Sequence, residues 1–181
     1  MTDEEFARSM QLIAKKDKSG LHRIYEEYGL WIYRTFFSAV RSRQDAEDLT
    51  SDFFLKLWQK PEGFRAGSGH RAYLAAIAHN MAVDLLRSRG RLASLQEPPE
   101  AADDAPDPSR VDEDVEGGML FRKALDTLPP AESEIIGLHI GMELTFREIS
   151  EALKIPLGTV TWRYQNAIKK LRQAMEGGAL G

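Results

Sequence analysis

The sequence predicts an all-α protein: two small helical domains joined by an acidic, flexible linker. Three observations carry this reading. Apolar residues on both sides of the middle recur at helical spacing, and no segment alternates as a half-buried strand would. A length of 181 residues accommodates one ordinary domain or two small ones. Between Gln96 and Gly118 the chain reads QEPPEAADDAPDPSRVDEDVEGG, with four of the eight prolines and no Leu, Ile, Met or aromatic residue. Such a stretch cannot bury enough apolar surface to offset its ordering entropy. The expected division is therefore a first domain at 1–95, a linker at 96–118, a second domain at 119–176 and a tail at 177–181.

The elements follow in order. A short opening helix is expected over Glu4–Lys15. A second, over Leu21–Val40, is rich in large apolar side chains (Ile24, Tyr25, Tyr28, Trp31, Ile32, Phe36, Phe37). A third covers Gln44–Gln59 and stops before Pro61. Residues 61–69, PEGFRAGSG, form a loop, because three glycines and a proline do not continue a helix. A fourth helix runs from His70 to Arg89, with Leu74, Ile77, Ala78, Met81, Ala82 and Leu85 as its buried stripe. Beyond the linker come Met119–Thr127 and Ala131–Ile140, the latter entered through Pro129-Pro130, where proline suits a helix start. Thr145-Phe146-Arg147-Glu148 fits a capping box that opens a helix to Leu153. Ile155-Pro156-Leu157-Gly158 is a tight turn, and a last helix covers Thr159–Glu176.

Composition excludes several function classes. Hydrophobic residues make up 43% and charged residues 29%, which rules out a disordered or collagenous chain. No run approaches the ~18 apolar residues of a membrane span, so no membrane insertion is expected. The acidic start, Met1-Thr2-Asp3-Glu4-Glu5, lacks a secretory signal pattern, and a cytoplasmic location is expected. Zero cysteines remove disulfides, thiolate metal sites and cysteine nucleophiles. The net charge of −4 is unevenly placed: +2 over residues 1–90, −7 over 91–118 and +1 over 119–181. The outer segments are therefore free to approach phosphate despite the low overall pI.

Three constellations bear on function. In the last helix, Val160, Tyr164, Ala167, Ile168 and Leu171 fall within an arc of ~100°. Thr159, Trp162, Arg163, Asn166, Lys169, Lys170 and Gln173 occupy the other side. After the capped helix and the short turn, this reads as a helix-turn-helix. Arg and Asn suit base edges in a major groove, and Lys neutralises phosphate. An ordinary solvated amphipathic helix is the plain alternative.

On the fourth helix, Asn80, Asp84 and Arg87 share one face near Tyr73. Polar groups beside an aromatic ring suit unpaired bases, which need stacking and edge contacts. The alternative is an Asp84–Arg87 pair with Asn80 idle in solvent. On the third helix, Asp45, Asp48 and Asp52 share an acidic face, with Leu49, Phe53 and Leu57 on an apolar one. Carboxylates there suit a metal, acid/base catalysis, a basic partner or plain solvation. His22, His70, His79 and His139 have no ligand spacing with these acids, so no metal or other cofactor is expected. No nucleophile–base motif or phosphate-cradling glycine loop is present, so no catalytic residue is assigned.

Taken in order, these segments closely resemble the extracytoplasmic-function sigma factors, the small class of bacterial RNA polymerase sigma subunits. The resemblance spans residues 5–94 and 119–176. It rests on Tyr25-Glu26-Glu27-Tyr28, Asp45-Ala46-Glu47-Asp48-Leu49 and Phe54-Leu55-Lys56-Leu57-Trp58. It continues through Arg71-Ala72-Tyr73-Leu74, Ile77-Ala78-His79-Asn80 and Asp84-Leu85-Leu86-Arg87. In the second domain it rests on Ala124-Leu125, Leu128-Pro129-Pro130, Glu148-Ile149 and Ile155-Pro156-Leu157-Gly158-Thr159-Val160 with Arg163 and Ala167.

The resemblance implies a region-two-like bundle that reads the minus-ten element as melted single strand, and a region-four-like helix-turn-helix that reads the minus-thirty-five duplex. It implies polymerase docking by Asp45, Asp48, Leu49, Asp52, Phe53 and Lys56, against the beta-prime clamp helices, with the beta flap as a further contact. It implies minus-ten contacts from Phe64, Arg71, Tyr73, Asn80, Asp84 and Arg87, the 61–69 loop capturing a flipped base. Minus-thirty-five contacts fall to Thr159, Trp162, Arg163, Asn166, Lys169 and Lys170, and an anti-sigma factor is an implied partner. The chain departs from the family pattern at His70 and Tyr73, where an aromatic and then Trp are usual. Lys154 stands where Gly is common, Ser150 for Ala, Trp162 for a small Ser, and Asn166 where Arg is frequent. A left-handed backbone at Lys154 costs about 1 kcal/mol or more.

The expected function is that of a promoter-specificity subunit, not an enzyme. A stand-alone helix-turn-helix regulator, with its first domain a dimerisation or ligand module, is the main alternative. An all-α metal-dependent hydrolase built on the acidic helix is a third.

Overall fold

Thr2 opens the first helix with a capping box: its hydroxyl accepts from the Glu5 N–H, and the Glu5 carboxylate accepts from the Thr2 N–H at 2.8 Å. In the computed structural model, residues 1–90 and 124–178 are described. The expected linker at 96–118 lies outside the described residues, as do residues 119–123 and 179–181. Among the described residues every regular element is helical, and the chain divides into two units, Met1–Leu85 and Leu86–Gly181.

In the first unit, α1 (Asp3–Ala14) buries Phe6, Ser9, Met10 and Ile13. The next helix, α2 (Lys18–Val40), starts before the expected Leu21 because Asp17 caps the Ser19 N–H at 2.9 Å. Gly20 lies inside this helix. A Cβ there would sit 2.3 Å from the Ser9 carbonyl oxygen, so glycine is what lets α1 and α2 approach. Ser42 then caps α3 (Arg43–Gln59), and a short 3-10 turn, Pro61–Gly63, interrupts the expected loop. Ile24, Ile32 and Phe36 of α2 with Phe53 and Leu57 of α3 are fully buried, Phe36 and Phe53 meeting edge to face with centroids 6.2 Å apart.

The fourth helix, α4 (His70–Ser88), buries a different stripe from the one expected. Leu74, Ala75, Ala78, Ala82 and Leu86 are buried, while Ile77, Met81 and Leu85 are only half-buried. The seam is turned by roughly 50° at 100° per residue. The alanines allow the closest approach, and the bulkier side chains flank it.

The second unit holds a helical turn at 124–126, then α5 (Pro130–Ile136). The expected helix to Ile140 instead widens into a π turn at Gly137–Gly141, where the Met142 N–H reaches the Gly137 carbonyl at 3.2 Å. The expected capping box at Thr145 and Glu148 opens α6 (Phe146–Leu153). The last helix, α7 (Leu157–Gly178), starts two residues early, because the Pro156 carbonyl already accepts the Thr159 and Val160 N–H groups. Ala167 and Leu171 of α7 join Ala124, Leu128 and Ile136 in one core cluster, flanked by Tyr164 and Ile168.

Candidate functional site

The helix-turn-helix is built by α6, a tight turn and α7. Lys154 ends α6 in the left-handed conformation, φ 55° and ψ 43°, its N–H returning to the Ser150 carbonyl. The Ser150 hydroxyl donates to the Ile155 carbonyl at 2.7 Å, and the Ile155 N–H returns to the Ser150 carbonyl at 3.2 Å. Behind the turn, His139 Nδ1–H donates to the Leu144 carbonyl, and its ring packs with Phe146 and Tyr164 at centroid distances of 4.6 and 5.1 Å.

With Val160, Ala167 and Leu171 buried, the other face of α7 is turned outward. Trp162 is 61% exposed, Lys169 is exposed, and Thr159, Arg163 and Asn166 are half-exposed. Lys170 differs from the rest: its ammonium sits 2.8 Å from Oε1 of Glu132, a carboxylate on α5 that is only 6% exposed. The other Glu132 oxygen is buried without a hydrogen-bond partner, so Lys170 is that carboxylate's main compensation. Sequence spacing placed Lys170 with the phosphate contacts, whereas the structure gives it an internal partner.

On α4 the expected residues separate into two groups. Asn80, Asp84 and Arg87 are exposed and share the face opposite the alanine seam. Phe64 and Tyr73 instead pack on Phe6 of α1: Phe6–Phe64 centroids are 4.8 Å apart, Phe64–Tyr73 5.3 Å and Phe6–Tyr73 6.3 Å. Burial pushes the Tyr73 hydroxyl pKa upward, and nearby Glu62 adds to this.

Arg71 lies on the α4 face away from Asn80, its guanidinium near the Tyr28 hydroxyl. Burial raises the Tyr28 pKa overall, with Arg71 opposing it. His70, 3% exposed, is buried under Phe6 and not presented to a base. Its Nδ1 faces the Asp3 carboxylate, and its Nε2 lies 2.5 Å from the Tyr28 hydroxyl. Asp3 also accepts the backbone N–H groups of Gly69 and His70 at 3.1 and 2.8 Å. The His70 N–H is the main reason Asp3 titrates below the ordinary carboxylate value. Sequence reasoning missed this network because its members lie far apart along the chain.

On α3, Asp48, Asp52 and Lys56 are exposed and Asp45 is half-buried. Two expected docking residues are not outward: Phe53 is 0% exposed and Leu49 is buried. Both belong to the core of the first unit. Leu55, 49% exposed, falls on the same face as Asp48 and Asp52, three residues past one and seven past the other. That spacing is legible in the sequence. No group of three His, Cys, Asp or Glu side chains among the described residues is arranged to hold a metal. No helix among them is long and apolar enough to cross a membrane.

Residues 24–92 match the Sigma-70 region 2 model and residues 124–173 match the Sigma-70, region 4 model. The chain is 30% identical over 145 residues to the ECF RNA polymerase sigma factor SigE of Mycolicibacterium smegmatis, covering 78% of this chain and 56% of that protein. It is 26% identical over 171 residues to SigK of Mycolicibacterium vanbaalenii, covering 92% and 87% respectively. The sigma factor RpoE of Bartonella quintana, solved with the anti-sigma factor NepR, shares the fold with a TM-score of 0.64 at 24% identity, covering 83% of this chain and 95% of that one. CnrH, solved with the cytosolic domain of CnrY, gives a TM-score of 0.62 at 19% identity, covering 96% and 98%. With both regions matched in order and ECF sigma factors among its relatives, the chain belongs to the ECF RNA polymerase sigma factors, specificity subunits rather than enzymes, which direct promoter-specific transcription initiation.

Proposed function

We propose that the two units divide promoter recognition as follows. The outward face of α3, Asp48, Asp52, Leu55 and Lys56 with Asp45 at its edge, docks the beta-prime clamp helices of core polymerase. Leu49 and Phe53 support that face from beneath. Asn80, Asp84 and Arg87 hold unpaired minus-ten bases, beside a loop whose Phe64, together with Tyr73 of α4, is already ordered by Phe6. In the second unit, Thr159, Trp162, Arg163 and Asn166 address minus-thirty-five base edges, Lys169 addresses phosphate, and the beta flap contacts the same unit. Lys170 serves phosphate only to the extent that Glu132 releases it.

The observation that carries this reading is the exposed polar row Asn80, Asp84 and Arg87, set directly opposite the buried seam of α4. An amide, a carboxylate and a guanidinium in one exposed row, on the same helical face as Tyr73, suit the edges and phosphates of unpaired nucleotides. Similarity to the sigma factor RpoE solved with the anti-sigma factor NepR, and to CnrH solved with the cytosolic domain of CnrY, supports an anti-sigma partner for this chain as well. A cytoplasmic location follows from that role. In vitro transcription with core polymerase on a library of genomic fragments tests the proposal. The expected result is initiation at a small set of promoters only when the chain is added. Operator protection by the chain alone, with no transcripts, would instead establish the stand-alone regulator.

A further inference from the structure

α4 begins without a cap of its own. The residue before it is Gly69, which has no side chain, and its φ of +83° is a conformation that favours glycine. The missing cap comes from Asp3, whose carboxylate accepts the Gly69 and His70 N–H groups across more than sixty residues of chain. The same carboxylate faces His70 Nδ1, which therefore carries the proton. His70 Nε2 is left to accept the Tyr28 hydroxyl, and the Arg71 guanidinium stands near that hydroxyl. A continuous polar relay thus runs from Arg71 through Tyr28 and His70 to Asp3, roofed by the Phe6 ring stacked on His70 at 5.0 Å.

We propose that this relay is a positioning device for the strand-capturing loop, with Asp3 as its anchor and Arg71 acting through it rather than on a base. The inference rests on the strand-capture reading given above. The 61–69 loop holds glycines at φ +81° and +83°, and within itself it is closed by the Arg65–Ser68 turn. Without an external tie such a segment samples many conformations, and each unproductive one lowers apparent affinity for the base it must enclose. Asp3 fixes the loop's last residue and the first residue of α4 together, while Phe6 fixes Phe64 and Tyr73. The N-terminal helix therefore sets where the loop stands relative to Asn80.

The test uses the full chain assembled with core polymerase and a fork-junction DNA. Its minus-thirty-five part is duplex and its minus-ten part is single-stranded, both taken from a promoter selected in vitro. Asp3→Ala and Tyr28→Phe should weaken fork binding roughly tenfold, as expected if the competent loop population falls to a tenth. Core affinity and binding to a duplex ending at the minus-thirty-five element should be unchanged. Asp3→Asn, whose side-chain oxygen still accepts a backbone N–H, should recover part of the loss; a merely folded-or-unfolded effect would move all three readouts together. Parent-like fork binding by Asp3→Ala and Tyr28→Phe, while Asn80→Ala loses it, would overturn the relay's role. Parent-like binding by Asn80→Ala as well would overturn the strand-capture reading, and the relay's role with it.

Discussion

The Ser150 hydroxyl donates to the Ile155 carbonyl at 2.7 Å, across the turn in which Lys154 is held left-handed. Two departures from the family pattern thus sit in one small structure. The turn asks a lysine for a backbone that suits glycine, and a serine, where alanine is usual, ties that turn to α6. We expect Ser150→Ala to destabilise the second unit by about 1 kcal/mol, the ordinary net worth of one hydrogen bond. Lys154→Gly should stabilise it by about 1 kcal/mol, removing left-handed strain. The double variant should lie near the parent in urea titrations. A Lys154→Gly variant less stable than the parent would show that no strain is stored there.

Asp3 gives a pH dependence with a definite sign. Its carboxyl titrates below its ordinary value of 3.8, chiefly through the His70 N–H, so the unfolded chain takes up this proton first as pH falls. Its contribution is complete above the ordinary value and is lost as pH drops through the lower folded one. Stability curves of the parent and Asp3→Asn should run parallel above the ordinary value of 3.8 and converge over the range below it. Curves that stay parallel across that range would remove Asp3 from the account.

The two sides of α3 should respond differently to substitution. Asp48→Lys with Asp52→Lys should abolish capture of core polymerase while far-ultraviolet circular dichroism stays unchanged. Like charges across a docking surface cost several kcal/mol, and exposed helix charges barely affect folding. Leu55→Ser should weaken capture without unfolding. Phe53→Ala should instead unfold the first unit, because emptying a fully buried aromatic site costs about 3–5 kcal/mol.

On α7 the base-facing and phosphate-facing roles separate by selection from random promoters. Arg163→Ala and Asn166→Ala should each relax the selected minus-thirty-five sequence, at about 1–3 kcal/mol per lost bidentate contact. Lys169→Ala should weaken all sequences alike and lower the salt slope by about one. Lys170→Ala should lower the melting temperature of the second unit, because it strands the Glu132 carboxylate; a parent-like melt would mean that the pair is idle.

What the sequence disclosed and what it hid follow from the range of the interactions. The capping box of Thr145 and Glu148, the buried Val160–Ala167–Leu171 row and the exposed Asn80–Asp84–Arg87 row are local patterns at helical spacing, legible without coordinates. The cap of α4 is not local: its donor groups lie at residues 69 and 70 and its acceptor at residue 3. Lys170 looked like its neighbour Lys169 because nothing in α7 shows that Glu132 is buried beneath it. The α4 stripe was misplaced because hydropathy favours Ile77 and Met81, whereas the buried seam takes in Ala75 and Leu86 instead.

This chain is expected to open DNA only as part of polymerase, trapping bases on the Asn80 face of α4. Permanganate probing of thymines on a selected promoter measures this directly, with the chain alone, core alone, and both together. The account predicts reactive minus-ten thymines only when both are present, and their loss when Asn80, Asp84 and Arg87 are all changed to Ala with core binding retained. Full reactivity from that triple variant would contradict it.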